Sequence, residues 1–82
     1  MKRSDLKELL ERVFEEAAPY LHDIRWARKF IEKNLMSLSR IESVIAVLED
    51  EISRETLETR KTDLRILIDY VKSIAKGGEH YG

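Results

Sequence analysis

Residues 6–38, LKELLERVFEEAAPYLHDIRWARKFIEKNLMSL, decide how this chain folds. Within them Leu6, Leu10, Val13, Ala17, Tyr20, Ile24, Ala27, Ile31 and Leu38 recur at alternating spacings of four and three, with Asn34 as the polar member of the series. That period lines them along one side of an α-helix, the seam by which an amphipathic helix lies against others. The seam passes through Pro19, whose ring removes a backbone donor and clashes with the carbonyl near Glu15. A break and restart usually shifts the phase of such a stripe, yet Val13, Ala17, Tyr20 and Ile24 keep it. The pattern therefore predicts one helix over about 5–35, kinked at Pro19 and about 45 Å long at ~1.5 Å per residue. Ser4 is a suitable N-cap for it, with Asp5 and Glu8 in the first turn.

Two shorter helices follow. Ser39-Arg40-Ile41-Glu42 has the spacing of a capping box, and Ile41, Val44, Ile45, Leu48 and Ile52 give a second seam over about 40–52. The next stripe, Leu57, Leu64, Leu67, Ile68, Val71, Ile74 and Ala75, is out of phase with it. A turn near Ser53, with Ser53 as cap, predicts a third helix over about 54–76. Gly77-Gly78 is expected to stop that helix, leaving 77–82 as a flexible tail of a single domain spanning 1–82. The fold class is all-α, a small helical bundle.

Composition narrows the function classes. The 82 residues contain no cysteine, so disulfides and thiolate metal sites are excluded. Charged residues make up 38% of the chain while the net charge is only −1, so both signs are interspersed and not pooled for a polyanion or an anionic membrane. The apolar runs are too short to span a bilayer, and the first residues lack the apolar core of a signal peptide. A cytoplasmic location is the expectation. The chain has no glutamine and a single asparagine, a bias that suits work at high temperature.

A chain this small gains burial by oligomerising. If the second helix folds back along the carboxyl half of a 45 Å arm, the stripe from Leu6 to Ala17 is only partly covered. Self-association as a two-fold dimer is therefore expected, through Leu6, Leu10, Val13, Phe14, Ala17, Trp26 and Phe30. Asn34 is a candidate for fixing register within that seam, or alternatively closes the helix. The segment 18–40 is net positive and 41–60 net negative, so these faces are expected to satisfy each other within or between subunits. The expected function is a non-enzymatic interaction or assembly module, acting on itself or on another protein, with no cofactor.

Two other classes have candidate residues. Arg25, Arg28, Lys29 and Lys33 surround Trp26 and Phe30, and such a surface can grip phosphates and stack on bases. The negative net charge counts against nucleic acid as a partner. His22 and His80 have no Glu-x-x-His spacing that would suggest a di-metal bundle. In outline, a long helix followed by two shorter ones resembles the all-helical chorismate mutases, which use basic side chains inside a dimeric bundle. That resemblance covers no contiguous motif; it implies a small enzyme acting on an anionic metabolite, with Arg12, Lys29 and Arg40 converging on the ligand. The lack of glutamine and the proline in the long helix depart from it.

Overall fold

The computed structural model describes the backbone of residues 3–81 and the side chains of 5–76. It is all-helical: α1 (Arg3–Ala17), a 3-10 turn (Ala18–Tyr20), α2 (Ile24–Asn34), α3 (Ile41–Arg54) and α4 (Glu58–Tyr81). The single kinked arm over 5–35 is thus replaced by two helices. The longest dimension of the Cα frame, 36 Å, is itself shorter than that arm would be.

The break has a local cause. Pro19 sits in the first positions of the 3-10 turn, where its missing donor is harmless. Leu21 donates back to Ala18 O at 3.2 Å and then turns extended, at φ −82° and ψ 143°. Asp23 starts α2 afresh: its carboxylate accepts the Trp26 N–H at 3.0 Å, and its carbonyl accepts that of Ala27 at 3.0 Å. The unbroken phase across Pro19 is a coincidence of spacing. Tyr20 and Ile24, which carry the stripe over the break, are 62% and 46% exposed, whereas off-stripe Leu21 is buried.

The remaining boundaries lie within a few residues of expectation, but the caps differ. Arg40 occupies the N-cap of α3 with no side-chain bond, so the Ser39–Glu42 box does not form. Ser53 stays inside α3, its hydroxyl donating to Asp50 O at 2.8 Å. The turn falls at Glu55–Leu57, where the Glu55 carboxylate accepts the N–H groups of Thr56 at 2.9 Å and Leu57 at 3.2 Å. α4 continues through Gly77-Gly78 to Tyr81, and among the described residues no glycine takes the positive φ of an αL stop. The side-chain positions of the expected 77–82 tail, and the cap role given to Ser4, lie outside the described residues.

The helices alternate in direction. Asp5, Leu9 and Arg12 of α1 line a groove with Ile74 and Ala75 of α4, while His22, just beyond α1, bonds Asp63 near the start of α4. The α3–α4 turn and the Lys72–Glu49 approach of 4.0 Å make that pair antiparallel too. Arg28 lies over the Phe14 ring, and Met36 borders the same groove as Lys7 and Glu11, so α2 runs back along α1. α4 packs closely on both α1 and α3. Its Leu64, Leu67, Ile68 and Val71 meet Leu6, Leu10, Val13, Ala17, Val44 and Leu48 in one core.

Among the described residues one acidic side chain belongs to that interior. Asp63 is 0% exposed, and its two oxygens accept the backbone N–H groups of His22 at 2.8 Å and Asp23 at 2.9 Å. His22 Nδ1 lies 3.1 Å from the first oxygen. These are donors the helix break sets free, so α4 supplies the acceptors that the loop cannot find within itself. No buried side-chain polar atom lacks a partner among the described residues.

Candidate interaction surface

Most of the residues expected to meet a second subunit lie inside one chain. Leu6, Leu10, Val13 and Ala17 are 0–1% exposed and Phe30 is 8% exposed, because α4 covers α1 along the length expected to be only partly covered. These five are core residues and have no surface to offer a partner. Phe14 and Trp26 are half-buried. Trp26 is enclosed by the Phe30 ring, with centroids 5.5 Å apart, and by the Arg60 guanidinium at 5.0 Å. Asn34 is exposed at the last position of α2 and donates through Nδ2 to Phe30 O at 3.2 Å, the geometry of a helix-closing residue.

Phe14 lies in a groove along the outer side of the α1–α2 hairpin. Its floor is Phe14, Ile31 and Met36; Lys7, Glu11 and Glu15 form the α1 wall, and Arg28 and Glu32 the α2 wall. Phe14 and Met36 remain half-exposed there, and Arg28 reaches over the Phe14 ring at 5.8 Å. On the α1 side Glu11 and Glu15 stand on the groove wall, while Glu8, one turn earlier, is exposed on the flank that borders the groove with Ile74 and Ala75 of α4. On the α2 side Arg25, Lys29 and Lys33 stand four apart in one exposed row. None of these six has an ion-pair partner among the described residues.

Among the described residues no ion pair joins the positive segment 18–40 to the negative segment 41–60, apart from Arg40 and Glu42 at 3.8 Å. The other pairs are mostly one helical turn apart, such as Arg12–Glu16 at 2.7 Å, Arg28–Glu32 at 3.7 Å and Arg54–Asp50 at 2.8 Å. Exposed pairs of this kind contribute little stability.

The cations assigned to an anionic metabolite do not converge. Arg12 and Arg40 line the groove between α1, α4 and the start of α3, each beside its own glutamate, while Lys29 stands on the outer face of α2. Among the described residues the exposed large apolar side chains are Tyr20 and Ile24, on either side of the α1–α2 loop, and Leu57, in the α3–α4 turn. Tyr20 stacks on Tyr70 with ring centroids 6.4 Å apart. Among the described residues no helix is long and apolar enough to cross a membrane. The buried Asp63 and its loop are the feature that sequence reading missed; the signal was an aspartate on the apolar stripe of α4, beside Leu64 and one turn before Leu67. The chain matches no protein-family profile, no curated protein and no solved structure.

Proposed function

We propose that this protein is a non-enzymatic helical interaction module that works as a homodimer, docking through the outer face of the α1–α2 hairpin. The observation that carries this reading is the groove itself: a half-exposed Phe14 and Met36 over Ile31, between walls of charged side chains. An apolar centre with a charged rim is the anatomy of a protein interface. Of the α1 residues expected at an interface, Phe14 is the one that the chain's own core leaves partly open. The interface therefore moves from the Leu6–Ala17 seam to the groove beside it. Light scattering at micromolar concentration and two ionic strengths tests the reading. A dimer that weakens as salt rises supports it, and a monomer throughout overturns it.

A second reading rests on the row Arg25, Lys29 and Lys33, whose positive charge no described side chain offsets. Such a row suits a phosphate backbone. Binding to duplex or single strands that falls with salt and with Lys29→Ala supports it; no binding at low salt removes it.

A further inference from the structure

Resting on the homodimer reading, we infer that the two copies are related by a two-fold axis running parallel to α1 and α2, so that the acidic row of each α1 faces the basic row of the other copy's α2. The hairpin face carries opposite charge on its two halves: Glu11 and Glu15 on α1, with Glu8 on the flank toward α4, and Arg25, Lys29 and Lys33 on α2. Within one chain these rows project outward from neighbouring helices and stay unpaired. Two face-to-face two-fold arrangements bring such faces together. An axis across the helices sets α1 on α1 and α2 on α2, acid against acid and base against base. An axis along them sets α1 on α2 with opposite charges opposed; the facing helices are antiparallel in both arrangements, so the charges decide between them.

The register then follows from the chain itself. Rotation about an axis along the helices leaves every residue at its own height. Residues level within one hairpin are therefore level across the dimer. Arg28 reaches Phe14 in the hairpin, and each step along either helix is ~1.5 Å. Glu15 of one copy accordingly stands level with Arg25 to Arg28 of the other, Glu11 with Lys29 to Glu32, and Glu8 with Lys33. The acidic positions each find a cation within about a turn; Phe14 stands level with its own mate, and Met36 with its own mate about 12 Å further along the axis. Lys7 and Glu32, the members of opposite sign, belong to the same walls and temper the contrast without reversing it.

The test uses two full-length variants: Glu8→Lys with Glu11→Lys and Glu15→Lys, which makes both rows basic, and Arg25→Glu with Lys29→Glu and Lys33→Glu, which makes both acidic. Sedimentation velocity should find each variant alone dissociated, its dimer weakened ~10-fold or more by like charges, and the equimolar mixture restored to a one-to-one dimer. Circular dichroism confirms that each is helical. Should a triple variant lose its helicity, the single changes Glu11→Lys and Lys29→Glu, alone and mixed, give the same comparison on a smaller scale. The arrangement is overturned if wild type dimerises while either variant stays a homodimer or the mixture stays monomeric. A monomeric wild type removes the arrangement together with the homodimer reading beneath it.

Discussion

The carboxylate of Asp63, fully buried near the start of α4, accepts the backbone N–H of His22 at 2.8 Å across a separation of 41 residues. A second bond to the Asp23 N–H, at 2.9 Å, makes this side chain the clamp that holds the α1–α2 loop to α4. Loop position sets where α2 begins, and α2 supplies half of the proposed docking face.

Replacing the clamp should therefore be expensive. Asp63→Ala leaves two loop donors without acceptors and opens a small void, for an expected loss of about 2–4 kcal/mol in urea-induced unfolding. A loss below about 0.5 kcal/mol would show that the loop finds other partners.

Pro19 should prove nearly neutral. It occupies an exposed 3-10 turn where no i→i−4 bond is broken, so Pro19→Ala is expected to change stability by less than about 1 kcal/mol. Were α1 and α2 one continuous kinked helix, removing the proline would stabilise the protein by about 3 kcal/mol. Thermal unfolding of the two proteins separates these outcomes.

Leucines of one stripe should behave in opposite ways. Leu64→Ala empties a fully buried site and should cost about 2–5 kcal/mol, whereas Leu57→Ala, at a position 50% exposed, should cost less than about 0.5 kcal/mol. Chemical denaturation measures both, and comparable losses would contradict the burial pattern described.

The contrast between Leu57 and Leu64 also marks how far the sequence could be read. Helical periodicity located α3 and α4 and identified Val44, Leu48, Leu64, Leu67, Ile68 and Val71, because those side chains meet a single core from one side. The same periodicity misled at Pro19. Phase counts residues and not geometry: one 3-10 turn and a three-residue loop happened to return the stripe to register while turning Tyr20 and Ile24 outward. Joining α1 to α2 then produced an arm too long for the other helices to cover, and from that followed an interface made of Leu6, Leu10, Val13 and Ala17. Division of the arm lets α4 cover α1. Asp63 escaped notice for a different reason. Its partners are backbone donors 40 and 41 residues away, and local sequence carries no sign of so distant a loop. Arg25, Lys29 and Lys33 were legible as a basic surface, but their relation to the acidic row of α1 needed the antiparallel hairpin.

Sedimentation equilibrium of wild type and Phe14→Asp, both across low to high micromolar concentration, addresses the homodimer most directly. Phe14 is half-buried at the groove floor, so a carboxylate there remains in reach of water in the single chain but meets its symmetry mate in the dimer. Wild type should sediment at twice the 9.7 kDa chain mass, and Phe14→Asp, with unchanged helicity, at 9.7 kDa. A wild type that stays at 9.7 kDa, or a helical Phe14→Asp that dimerises as wild type does, would contradict the account.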